Sequence, residues 1–157
     1  MNLVTAPLLH FTPGGVFAPA TVLSPVSDGQ AARASIDARA TVVNQGTSAS
    51  AQFVVRFDVF DTTGMQVATA QTKASSLAAG TSGTVSAPIT VAPANLWSTN
   101  RPYLYTVKAT IVSGGSSDAD TLNETIGIYT TEWTAHSGFY LNKEHFKIKG
   151  FCDHNGE

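Results

Sequence analysis

Cys152 and His154 stand two apart near the end of this 157-residue chain, with Asp153 between them. A thiol and an imidazole at that spacing on a strand share a face, so they could act as a nucleophile–base pair or as two ligands of a metal. Neither chemistry is complete, because no third ligand and no orienting group accompanies them. A semi-buried thiol is the plainer expectation for Cys152. Asp58 and Asp61 could be offered as a carboxylate pair. Asp61, however, opens the turn sequence Asp61-Thr62-Thr63-Gly64, and Asp58 falls on the solvent side of an alternating strand. His10, His136 and His145 show no ligand spacing, so structural or surface roles are expected. Asn123-Glu124-Thr125 fits an N-glycosylation sequon, a triplet common by chance. No metal and no cofactor is implied by any of these groups.

The elements that must position these residues are strands. Ala32, Ala34, Ile36, Ala38, Ala40 and Val42 alternate with Arg33, Ser35, Asp37, Arg39 and Thr41, a period of two that predicts one long half-buried strand over 31–44. Phe53, Val55, Phe57 and Val59 repeat the pattern, and Met65–Lys73 is expected to return beside them across the Asp61 turn. A first strand is expected over Leu3–Phe11, broken by Pro13-Gly14-Gly15. Val16–Leu23 follows as an edge segment, and Gly83–Val91 as a further strand. Pro93–Pro102 reads as a loop anchored by Leu96 and Trp97. Tyr103–Val112 carries Tyr103, Tyr105, Val107, Ala109 and Ile111 on one face, and Asp120–Tyr129 closes the series. Seven to nine such strands with regular turns predict an all-β, immunoglobulin-like sandwich over residues 1–131.

Bulk properties exclude several function classes. With 43% hydrophobic and only 13% charged residues, the chain can bury a core and does not read as a disordered tail. A formal net charge of −2 offers no basic footprint, so neither nucleic acid nor an anionic membrane is an expected partner. No apolar run approaches the ~20 residues of a membrane span. The single cysteine excludes an internal disulfide. Met1–Val4 shows neither a basic n-region nor an apolar h-region. The compartment stays open, with a secreted or periplasmic one ahead of the cytoplasm.

After Thr131 the texture changes. Phe139-Tyr140-Leu141 and His145-Phe146 flank Asn142-Lys143-Glu144 as a small hairpin, and Lys147–Cys152 reads as one more short strand. A strand there has no neighbour in the sequence to pair with, which suggests a piece of something larger. Leu96-Trp97-Ser98 followed by Pro102-Tyr103-Leu104-Tyr105 resembles the loop-to-strand signature of glycoside hydrolase family 2. So do Gly127-Ile128, Phe139-Tyr140-Leu141-Asn142 and Phe146-Lys147-Ile148-Lys149-Gly150. Three departures stand out. The turn Asn142-Lys143-Glu144-His145 lacks the usual glycine, Tyr129 replaces a common basic residue, and Cys152-Asp153 replaces a frequent Asn-Arg.

The resemblance implies a sandwich lying between a jelly-roll domain and a (β/α)₈ catalytic barrel, with 132–157 as linker, hairpin and first barrel strand. It implies a parent that hydrolyses terminal β-glycosidic bonds with retention, β-galactosides being the expected substrate. Catalysis of that kind needs two carboxyl groups. None of Glu124, Glu132, Glu144 and Glu157 matches the family's catalytic motifs, so no catalytic residue is assigned and the chain alone is expected to be inactive. His154 and Asp153 would lie at the mouth of the barrel and wall the sugar pocket in an intact parent. The expected partners are the neighbouring jelly-roll and barrel domains. An autonomous carbohydrate- or protein-binding module is the alternative, with Trp97 as a possible sugar platform. The lack of any expected exposed aromatic cluster counts against it.

Overall fold

The computed structural model describes residues 5–24, 26–27, 29–31, 33–114 and 116–150. Among these, every regular element is a β-strand. One sheet is built on the long strand β5 (Ala34–Asn44), which pairs on one edge with β1 (Leu9–Phe17) and β2 (Ala20–Val22) and on the other with β8 (Ser82–Val91). The second sheet runs β11 (Ser116–Ile126), β10 (Tyr105–Ser113), β6 (Phe53–Phe60), β7 (Gln66–Gln71). Short strands β3 (Val26–Ser27), β4 (Gln30–Ala31) and β9 (Ala94–Asn95) form a small third sheet. A fourth contains β12 (Thr131–Thr134), β13 (Gly138–Leu141) and β14 (Glu144–His145). Every pairing is antiparallel. The all-β, immunoglobulin-like sandwich expected from the alternation is the fold.

Alternation puts the core where the sequence places it. Ala34, Ile36, Ala38, Ala40 and Val42 are buried on β5, as are Phe53, Val55, Phe57 and Val59 on β6 and Tyr105, Val107, Ala109 and Ile111 on β10. One sheet supplies the methyls of Ala34, Ala38, Ala40 and Ala87, and the other the rings of Phe53, Phe57 and Tyr105. Both faces mix large and small groups, since Phe11, Ile36, Val42, Ile89 and Val91 are buried beside those alanines and Ala109 beside those rings.

Several boundaries differ from the expectation. Pro13-Gly14-Gly15 does not end the first strand. It forms a bulge, residues 12–15 standing against Thr41 alone before pairing resumes at Val16↔Ala40. Gly14 lies at φ 64°, and a Cβ on Gly15 would sit 2.7 Å from the Thr12 carbonyl oxygen and 2.9 Å from that of Thr41. Only glycine fits so close an approach. The Phe11 amide on the near side of the bulge donates to Asp120 Oδ2 (2.9 Å), tying β1 to β11 of the opposite sheet. The strand expected over 31–44 is interrupted, because Gln30–Ala31 leave to pair with β3 and β9. β11 ends at Ile126, short of Tyr129.

The β6–β7 turn is built on Asp61. Its Oδ1 accepts hydrogen bonds from the Thr63 hydroxyl (2.6 Å), the Thr63 amide (2.8 Å) and the Met65 amide (3.0 Å), while Gly64 takes φ 81°. These bonds, the Thr63 hydroxyl first, hold the Asp61 carboxyl below the usual carboxylate range. Because the folded value is depressed, the turn's stabilisation is complete above that range and is lost as pH falls through the folded value. The Thr63 and Met65 amide resonances should therefore titrate with a midpoint below the ordinary aspartate value. A midpoint at or above it would contradict this geometry. In the core, Phe57→Ala should lower unfolding free energy by about 3–5 kcal/mol in urea melts, because Phe57 is fully buried and a packed core only partly closes the void.

Candidate functional site

The residues that resemble a family signature gather at one end of the sandwich. Leu96 is buried there, its amide donating to the Gly29 carbonyl (2.9 Å). Trp97, half-buried, donates its amide to the Ile128 carbonyl (2.8 Å) and lays its side chain on Gly127. A Cβ on Gly127 would come within 3.0 Å of the Trp97 Cβ, so the absence of a side chain there is what seats the indole. Tyr129 completes the contact at 5.8 Å between ring centroids. Tyr105 is buried with its hydroxyl accepting the Asn95 amide (2.8 Å), and burial pushes its pKa up. Tyr103, expected on the same core stripe, precedes the strand and is half-buried. Its ring lies 5.1 Å from that of Tyr105, with the Arg101 guanidinium 5.8 Å above it.

The C-terminal sheet abuts this end. Its hairpin turn is Asn142-Lys143, both in the left-handed region at φ 52° and 71°. That is the geometry of a two-residue hairpin turn, here made without glycine. The amide side chain of Asn142 donates through Nδ2 to the Trp97 carbonyl (2.8 Å) and accepts the Thr130 amide at Oδ1 (3.0 Å). The Asn142 amide in turn donates to the Thr130 carbonyl (2.9 Å). Between turn and sandwich lies an open cleft of about 410 Å³ lined by Leu96, Ser98, Asn100, Arg101, Leu141 and Glu144, among others. Lys143 spans the hairpin to Glu132 (2.8 Å).

One face of the C-terminal sheet is aromatic. Trp133 and Phe139 are cross-strand partners with ring centroids 4.7 Å apart, and Phe146 stacks edge-on to Phe139 at 6.1 Å. Trp133 is 70% exposed. Phe139 and Phe146 are half-buried, and this cluster with its exposed Trp133 was not expected from the sequence, where residues 132–137 read as linker. The alternation is too short there to register, since β12 has only four residues.

The sequence-derived candidates scatter. Cys152, Asp153 and His154, together with Glu157, lie outside the described residues. Lys147–Gly150, expected as the start of a strand, carry no strand pairing. Asp58 is not solvent-facing: it is 7% exposed, although it stands on the outer face of β6. Long neighbours cover it there. Arg56 Nε donates to it at 2.9 Å, the Thr69 hydroxyl at 2.7 Å and Gln66 Nε2 at 3.4 Å. Asp58 and Asp61 thus have separate structural tasks and do not act as a pair. His10 bonds the Pro7 carbonyl (2.8 Å), His145 sits 5.5 Å from the Tyr140 ring, and exposed His136 lies in the turn between β12 and β13. Glu124, Glu132 and Glu144 stand on β11, β12 and β14. Among the described residues, no three of His, Cys, Asp and Glu come together as a metal site. The asparagine that ties the hairpin down was legible only as a turn residue, since its partners are 12 and 45 positions away.

Known proteins share this fold. The β-glucuronidase of Bacteroides uniformis superposes with a TM-score of 0.81 at 23% identity, over 95% of this chain and 18% of its own. A glycosyl hydrolase family 2 member of Bacteroides cellulosilyticus superposes at 0.80 and 23% identity, over 92% and 19%. At such identities these establish the fold. A Formosa agariphila protein named "Putative beta-glucuronidase" is 29% identical over 98% of this chain, which spans only 13% of that protein's length. The profile described as Glycosyl hydrolases family 2 matches residues 21–128, which is most of the chain and takes in the sandwich strands after β1. By that match, the chain belongs to glycosyl hydrolase family 2.

Proposed function

We propose that this chain is a structural sandwich module of a family 2 glycoside hydrolase, residues 1–131 holding neighbouring domains in register and 132–157 leading into a catalytic barrel. The observation that carries the reading is the family match over residues 21–128, whose strands form the sandwich itself. The apolar surfaces support it. Trp133, Phe139 and Phe146 line one face, and exposed Phe17 and Tyr129 border a second patch with Pro19, Ala20 and Ile126. Apolar patches of this kind mark contact surfaces.

In the parent, the reaction is hydrolysis of a terminal β-glycosidic bond by two carboxyl groups ~5–5.5 Å apart, with retention. On this reading both would come from the barrel. Of the module's own carboxylates, Glu132 is held by Lys143 and Asp58 is enclosed by Arg56 and Thr69. The names of the relatives favour a β-glucuronide as the parent's substrate over the β-galactoside expected from the sequence. Asp153 and His154, following the first barrel strand, would wall the sugar pocket there, His154 by hydrogen-bonding a hydroxyl.

The aromatic face favours one second reading, a carbohydrate-binding module in which Trp133 stacks on a sugar ring. The two are separated by incubating the purified chain with chromogenic β-glucuronide and β-galactoside, and by titrating polysaccharides against its tryptophan fluorescence. A spacer gives neither turnover nor saturable quenching. A longer product of the same gene turns over the glucuronide. Saturable turnover by the 157-residue chain would refute the spacer reading, and saturable quenching without turnover would establish the binding module.

A further inference from the structure

We propose that Asn142 is the pin that fixes the angle between the sandwich and the C-terminal sheet. Strands β12, β13 and β14 pair with one another and with no strand of the sandwich. The covalent connection, residues 127–130, is irregular and sets no angle by strand geometry. The Asn142 backbone amide ties the turn to the Thr130 carbonyl (2.9 Å), but among these bonds only the Asn142 side chain reaches on to the loop before β10. Asn142 Nδ2 reaches the Trp97 carbonyl in the loop before β10, and its Oδ1 takes the Thr130 amide in the connection. Trp97 is itself fixed twice to that connection, by its amide to the Ile128 carbonyl and by its side chain on Gly127. A single planar amide therefore joins the hairpin turn, the connecting segment and the loop before β10. A planar group bonded at both ends has little rotational freedom, so it transmits orientation as well as attachment.

The left-handed backbone at Asn142 is part of the device. At φ 52° the amide points back across the turn toward Thr130 and Trp97. Asparagine visits this region more readily than other residues with a side chain, and it carries both a donor and an acceptor on a short stem. Leu141, buried beside it, gives the turn an apolar foot in the cleft, but dispersion contacts are not directional. For a longer family 2 chain, a consequence follows that rests on the reading above: a domain that packs on β12–β14 takes the angle set at Asn142.

The test uses the 157-residue chain and does not depend on that reading. Asn142→Gly keeps the left-handed turn and removes only the side-chain bonds. Residual dipolar couplings are measured for backbone amides of β5, β6 and β10 and, separately, of β12 and β13. In the native chain one alignment tensor should fit both sets. In Asn142→Gly the two sets should need separate tensors, while cross-strand contacts between Trp133 and Phe139 persist. A single tensor in the variant would overturn the proposal. So would loss of the Trp133–Phe139 contacts, because Asn142 would then be holding the hairpin's fold and not its angle.

Discussion

The structure depends first on the packing of two apolar inner faces into one core. Phe53, Phe57 and Tyr105 enter it from one sheet, and Phe11, Ile36 and Ile89 with Ala34, Ala38, Ala40 and Ala87 from the other. Had both inner faces carried only large side chains, the sheets would stand further apart and the inter-sheet tie from Phe11 to Asp120 could not close at 2.9 Å. Had both carried only alanine, too little apolar area would leave water to hold the layers together. The mixture gives a rigid slab, and every loop used to build the far end takes its position from it.

That far end shows what the residues resembling the family signature do in this fold. Leu96 closes the core, Tyr105 pins Asn95, and Gly127 gives Trp97 its seat. Trp97 then offers its carbonyl to Asn142. Each link is a packing or hydrogen-bonding task, and together they run from the sandwich core to the turn of the C-terminal hairpin. The residues that carry the family resemblance here join parts of the fold, and the chain spans 13% and 18% of the lengths of two of the proteins it matches.

Much of the fold was legible because half-buried strands announce themselves with a period of two. The buried sets on β5, β6 and β10 are the residues that alternation selects, and Asp61-Thr62-Thr63-Gly64 names its own turn. The failures share a cause. Pro13-Gly14-Gly15 reads as a break because local propensity cannot see Thr41, across which the bulge closes. The run over 31–44 reads as unbroken because nothing in it reports that β3 and β9 claim Gln30 and Ala31. Asp58 reads as exposed because alternation gives a face but not what lies over it.

The candidate site was legible in kind and not in geometry. By itself the sequence determined an all-β sandwich, its inner faces, the Asp61 turn, and a family resemblance over residues 96–105 and 127–154. The first three follow from local periodicity and short-range turn chemistry, which need only neighbours along the chain. Tertiary structure alone decided that Trp133, Phe139 and Phe146 share a face, and that Asn142 bonds Thr130 and Trp97. Those contacts join positions far apart in sequence. A hydrogen bond needs both partners placed to within a few tenths of an ångström, and only the packed core fixes them that closely.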